Sequence, residues 1–369
     1  MFISFKHYLL IACFSIIPCL CSATISKDWI IPIGVAGPGV RANSLGGAFS
    51  AKAEGNEGTW WNPAGSAFIN RPAWTFQSSI YLPEYERYDY NAAYFYSGLS
   101  VPTGDLGVFG VSIYRTVIGR VNNRCEFIGP YHDFFGDVYE YSFSYADKLS
   151  PNNSFGINLR LIHSNLSFRS YSENHVKNSM NVDFGFLSKE PFKNFSVVLG
   201  KLDFGVVLSN VGTYSSYFDS QQSYYYGKQI PEDLLYYYPL ELQNPPPVRL
   251  RLGAALNVLD NNCIRFIVLS DISKDMIYRH YQADPVFKQL HDRFLKTPLS
   301  ETLVRNSGLE LSFFDHLFLR TGYTFLDFEH MQTNYGIGIK LKILQLDLAI
   351  NKLTPDISYI NSLGLTLIF

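Results

Sequence analysis

Apolar and polar residues alternate one by one through most of the chain beyond its first seventy positions. Tyr335, Ile337, Ile339, Leu341 and Ile343 alternate with Gly336, Gly338, Lys340 and Lys342. Val248, Leu250, Leu252, Ala254 and Leu256 alternate with Arg249, Arg251, Gly253 and Ala255. Leu202, Phe204, Val206 and Leu208 do the same against Lys201, Asp203, Gly205 and Val207. Successive side chains of a strand point to opposite faces, so each run has one greasy face and one polar or small face. About fourteen such runs are present. They predict strands at 74–82, 88–97, 104–114, 135–148, 154–166, 179–188 and 196–210. The series continues at 247–259, 263–273, 306–314, 317–325, 334–343, 345–353 and 362–369. A slip of phase at Val108 and Phe109 predicts a bulge.

The connections sort by length. Turns around Pro102, Pro151, Pro191, 260–262, 315–316 and Leu344 are short, whereas long ones fall near 115–134, 167–178, 211–246 and 274–305. Short turns at one end and long loops at the other are the pattern of an outer-membrane barrel with an even strand number. The predicted fold class is therefore all-β, a transmembrane antiparallel barrel of about fourteen strands formed by residues 73–369. A soluble sandwich would also alternate, with its greasy face buried between sheets, but it has no reason to sort its loops this way.

Composition sharpens the choice. Charged residues are 17%, below the roughly 25% of soluble domains, and a net charge of -2 gives no electrostatic reason for a nucleic-acid partner. Five cysteines in 369 residues exclude a disulfide scaffold. Lys6 and His7, the apolar run 8–20 and Cys21-Ser22-Ala23 form a secretory signal peptide over 1–23. An anchor helix or a lipoprotein cysteine are the lesser readings of the same leader. The exported chain keeps Cys125 and Cys263. The predicted topology sets them at opposite ends of a band about 25 Å tall, too far apart for a disulfide. No later apolar stretch reaches the length of a membrane helix, so the remaining apolar content must cross as strands. The chain closes on Leu363, Leu365, Leu367 and Phe369. A last strand with a terminal Phe resembles the signal read by the barrel-assembly machinery, which makes that machinery an expected partner during biogenesis. A monomer is expected, because a closed ring has no edge to pair.

Residues 24–72 read differently. They hold Gly39-Val40-Arg41-Ala42, then Leu45-Gly46-Gly47-Ala48-Phe49, then Trp60-Trp61-Asn62-Pro63-Ala64-Gly65. Such glycine density predicts turns and close backbone approaches. This stretch resembles the N-terminal hatch of the FadL outer-membrane transporters and their PorV relatives. The matching residues are Arg41, Ala42, Gly46, Gly47, Ala48 and Phe49, then Trp61, Asn62, Pro63, Ala64 and Gly65. Glu54 and Glu57 stand where members carry paired aspartates. Weaker echoes recur at 204–212, 248–255 and 308–323.

The resemblance implies a fourteen-stranded barrel plugged by its first mature segment. In the transporter branch it implies passage of a hydrophobic small molecule or lipid, with a long-chain fatty acid as the model ligand, gated by the hatch through Arg41, Gly46, Gly47, Phe49, Trp61, Asn62 and Pro63. In the PorV branch it implies a component of type IX secretion whose partner is an exported protein. Gly65, where PorV-like chains carry Lys, favours transport.

Candidate binding residues follow from the inward faces. Arg249, Arg251 or Arg320 would hold a ligand carboxylate by a charge-assisted fork. The competing reading is a salt-bridge network anchoring the hatch; the inward faces also carry Arg160, Lys201, Arg265, Lys340, Lys342, Glu140, Asp183, Asp203, Glu310 and Asp347. In the outer loops Tyr224, Tyr225 and Tyr226 offer apolar area with a polar tip. Asp284-Pro285 followed by Phe287, Leu290 and Phe294 predicts a short amphipathic helix. Together these loops would form a capture groove, or an aromatic belt at the lipid head groups. No metal-spaced cluster, phosphate loop or nucleophile elbow appears, so neither an enzyme nor a cofactor is expected.

Overall fold

The computed structural model describes residues 37–83, 92–121, 134–168, 174–191, 201–212, 224–225, 228–229, 248–276, 303–325, 331–353 and 358–369. The signal peptide, Cys125, Tyr226, Phe287, Leu290, Phe294 and the predicted outer helix lie outside them.

Fourteen strands form one closed antiparallel ring. They are β1 (Ala73–Pro83), β2 (Ala92–Pro102), β3 (Val108–Val121), β4 (Phe134–Lys148), β5 (Asn153–Phe168), β6 (Asn174–Lys189) and β7 (Lys201–Gly212). The second half is β8 (Val248–Asp260), β9 (Ile264–Met276), β10 (Leu303–Phe313), β11 (Leu317–Phe325), β12 (Met331–Leu341), β13 (Leu344–Leu353) and β14 (Ser358–Ile368). Neighbours in sequence are neighbours in the wall, and β14 closes on β1 from Ala73↔Ile368 to Pro83↔Ser358. Closure satisfies every main-chain edge, which an open sheet in lipid would leave unpaired.

The two faces of the wall differ as the alternation requires. Leu317, Leu319 and Tyr323 on β11, and Tyr335, Ile337, Ile339 and Leu341 on β12, point out and are exposed. Between them the inward Arg320, Thr324, Asn334 and Lys340 are buried. A hydrophobic outside around a polar, filled inside is the inverse of a soluble barrel, and it calls for lipid as the outer solvent.

Several boundaries differ from those predicted. The run 104–114 is not bulged at Val108 and Phe109. Residues Gly104–Leu106 form a 3-10 turn, Gly107 takes a positive φ of 81°, and β3 starts at Val108 in regular register with Pro102. The apparent slip was a turn joined to a strand. Strand β2 reaches Pro102 rather than stopping at Ser97. Strands β5 and β6 pair as far as Ser167↔Asn174, so the long loop expected over 167–178 shrinks to 169–173. Lys342, expected in the lumen, sits exposed in the β12–β13 turn with φ 51°. True register shifts occur between Ile118 and Val121, Val182 and Phe184, and Asn257 and Leu259. Tyr224–Tyr225 pairs with Lys228–Gln229 in a small separate ladder.

Residues from Gly37 to the start of β1 fill the ring. They contain two four-residue helices, α1 (Val40–Asn43) and α2 (Gly58–Trp61), and a 3-10 helix at Pro63–Phe68. Asn62 ends α2 and starts the 3-10 turn: its Oδ1 accepts from the Ala64 N–H at 3.1 Å, with Pro63 in the first position where no N–H is needed. The apolar side of this hatch, Leu45, Ala48, Phe49 and Trp61, packs on Ala255, Ile267, Leu269 and Phe318 of the wall.

Candidate functional site

The hatch is held in the ring by polar contacts at several heights. Asp271, inward on β9, accepts from the Phe49 N–H at 3.2 Å, the Ser50 N–H at 2.9 Å and the Ser50 hydroxyl at 2.5 Å. The Asn56 amide donates to the carbonyls of Ala73 (2.7 Å) and Gly98 (3.0 Å), while the Tyr96 hydroxyl donates to the Asn56 carbonyl at 2.8 Å. The Asn62 amide bridges the Ser50 carbonyl (2.8 Å) and the Phe186 carbonyl (3.1 Å). The Thr324 hydroxyl donates to the Gly46 carbonyl at 3.2 Å, and the Trp61 indole N–H to the Pro38 carbonyl at 2.7 Å.

The glycines make these approaches possible. Gly46 has φ 64° and lies so close to β11 that a Cβ would sit 2.5 Å from the Tyr323 carbonyl oxygen. Facing the hatch, the wall is bare at Gly156, Gly185, Gly205 and Gly253, where side chains would strike Pro63, Asn62, Ser50 and Ala51. Gly156 pairs with Gly185 and Gly205 with Gly253 across adjacent strands, so the bare positions form one band.

The predicted arginines take distinct places. Arg320 is buried; its Nε donates to Glu310 at 2.6 Å and its Nη1 to Asp347 at 3.1 Å. Arg41 of the hatch lies 3.6 Å from the same Glu310 and over the Phe49 ring at 5.4 Å. Arg251 is also buried; its Nη1 donates to the Trp61 carbonyl at 3.2 Å, and its guanidinium lies 4.8 Å from the Trp61 ring centre. Arg249 is half-buried near the long-loop end of β8. The three arginines therefore do not converge: Arg251 grips the hatch, and Arg320 joins Arg41 around Glu310. A third group joins Arg160 to Asp183 (2.6 Å), Asn210 (2.6 Å) and Glu140 (3.4 Å). Trp60 stands between the guanidinium groups of Arg160 and Arg251, at 5.7 and 5.9 Å.

At the short-turn end a cavity of about 440 Å³ opens between hatch and wall. Two ion pairs cross it from the hatch, Lys52 to Asp203 on β7 and Glu54 to Lys189 on β6. Burial would raise the Glu54 carboxyl, but Lys189 and Lys52 together outweigh it and bring it from 4.5 down to about 2. Burial would lower the Lys52 ammonium, yet Asp203 and Glu54 raise it above its usual value. Through its ion pair with Lys189, Glu54 latches the hatch to β6. Lys52, Asp271, Asn56 and Phe68 went unnoticed in the sequence. The signal for Asp271 was present, since it shares parity with Leu269 and Ser273 on the inward face of β9.

No family model and no curated protein matches the sequence. Solved structures do match. The Ralstonia pickettii toluene transporter TbuX superposes with a TM-score of 0.56, covering 93% of this chain and 99% of that one at 9% identity. This chain has the fold of the FadL-type channels. The Pseudomonas putida toluene transporter TodX (TM-score 0.53, 9% identity, 86% and 94% covered) is similar. So is a Pseudomonas aeruginosa FadL homologue (0.50, 10%, 87% and 95%). The FadL-type fold agrees with the family resemblance drawn from the hatch motifs and with the strand number drawn from alternation.

Proposed function

We propose that this protein resides in the outer membrane and passes hydrophobic small molecules through its plugged barrel, with a long-chain fatty acid as the model cargo. The observation that carries this reading is a closed wall, greasy outside and polar inside, filled by a hatch that continues into β1 and is otherwise held by hydrogen bonds and ion pairs. The TbuX and TodX structures named as toluene transporters support it. Outer loops bearing Tyr224, Tyr225, Tyr226, Phe287, Leu290 and Phe294 capture the cargo. The hatch then shifts through Arg41, Gly46, Gly47, Phe49, Trp61, Asn62 and Pro63. In this orientation the short turns face the periplasm. Arg251 and Arg320 serve the hatch and its surroundings, and Arg249, nearest the long loops, is the arginine best placed to meet an acidic head.

Native mass spectrometry of the purified barrel tests the proposal. Retained hydrophobic small molecules are expected. A stable complex with an exported protein and no lipid would overturn it and favour the secretion role. Deleting 223–234 while the barrel stays intact is expected to weaken ligand binding; unchanged binding would remove the loop-capture step.

A further inference from the structure

The lining of the short-turn chamber carries more than its latches. Seven of its residues are basic and five acidic, an excess of two positive charges over the whole lining. Its largest apolar group is Phe68, the last residue of the 3-10 helix, which is followed in the lining by Ile69. The Phe68 ring is flanked by two ammonium groups, Lys189 at 3.9 Å and Lys148 at 5.3 Å from its centre. Lys189 also serves the latch to Glu54, whereas Lys148 is exposed at the end of β4. A ring held between two cations, beside an aliphatic patch and open to solvent, can cover a short length of hydrocarbon. It can at the same time neutralise one negative charge. A neutral hydrocarbon would gain nothing from the cations, and a small free anion nothing from the ring.

We infer that this chamber is a second ligand seat, on the periplasmic side of the hatch, that takes the anionic head and adjoining methylenes of an amphiphile, with Lys148 and Phe68 as its reading residues. The inference rests on the transport reading and adds to it that the departing cargo is recognised by its charge. A carboxylate and a phosphate head share the required chemistry.

The test uses the full mature chain in neutral detergent. A dodecanoate carrying a diazirine in its chain is photolysed with the protein, and the labelled peptides are mapped. Label on the segment 66–72 is expected, reduced at least fivefold in Lys148→Gln and in Phe68→Ala. The dodecanol counterpart is expected to leave that segment unlabelled, and 10 mM inorganic phosphate to leave the dodecanoate label in place. Because Phe68 contributes to hatch packing, retention of the heat-modifiable gel shift is required of both variants. Dodecanoate label confined to the outer lumen, or equal label from dodecanol, overturns the seat while leaving transport standing. Displacement by phosphate would make the chamber a free-anion site and overturn the amphiphile. Absence of label anywhere in the barrel would instead overturn the transport reading on which the inference rests.

Discussion

Asp271→Ala removes the acceptor of three hatch hydrogen bonds, from the Phe49 N–H, the Ser50 N–H and the Ser50 hydroxyl. A hydrogen bond contributes about 1 kcal/mol net, and one to a charged group about 1.5–3 kcal/mol. Three donors on one carboxylate share its charge, and water entering the lumen can satisfy part of what is lost. A net weakening of about 3 kcal/mol follows, near the sum of three ordinary bonds. At about 1.4 kcal/mol per tenfold, this is roughly a hundredfold in the opening equilibrium of the hatch. The wall should be spared, since the β9 ladder to β8 and β10 is main-chain and does not use this side chain. Hydrogen exchange in detergent micelles reads both quantities together. Amides of 47–52 should exchange about a hundredfold faster in the variant, those of β9 at the wild-type rate, and Asp271→Asn should fall between. If the amides of 47–52 keep their protection, Asp271 is not an anchor. If β9 loosens equally, hatch and wall are one cooperative unit and the separation drawn here fails.

Gly65→Val would drive its side chain into the Ala53 carbonyl. It should unseat the hatch at a cost of about 3 kcal/mol, the upper end for overpacking, seen as trypsin cleavage of the hatch in a barrel that still shifts on gels. Arg320→Met leaves Glu310 and Asp347 short of a cation and should cost about 3–5 kcal/mol; adding Asp347→Asn, which keeps the Glu310 pair with Arg41, should recover much of the lost melting temperature, and no recovery would refute the charge argument. The Glu54 carboxyl lies below its ordinary 4.5, at about 2, so its contribution is full above about pH 4.5 and disappears as pH falls through 2. Proteolytic protection of the hatch should fall over that interval, and Glu54→Gln should flatten the dependence.

Alternation alone placed strands β10 to β14 within a few residues, because long stretches of them, such as Tyr335 to Leu341 and Leu344 to Ile350, carry a large apolar side chain at every second position. It misplaced β3, where Gly104, Leu106 and Val108 share the parity of a strand although the first two belong to a 3-10 turn. It put Lys342 inside, because periodicity continues through a two-residue turn while the backbone reverses. The hatch was legible as a glycine-rich insert, and Arg41, Trp61 and Asn62 were legible as its special residues. Their partners were not. That Glu310 would meet Arg41, or Asp271 the main chain of Phe49 and Ser50, depends on how far the insert rises in the ring. Nothing in the local sequence encodes that height.

The bare band on strands β5 to β8 makes the wall an unfinished surface. Gly156, Gly185, Gly205 and Gly253 leave a trough that the insert occupies with its own backbone. Emptied, the trough would add its width to the bore. Bacteria carrying a version without its insert should therefore become permeable to bulky water-soluble antibiotics that the intact protein keeps out, so that the same strip of glycine which lets the stopper seat also sets how badly the envelope leaks when the stopper is gone.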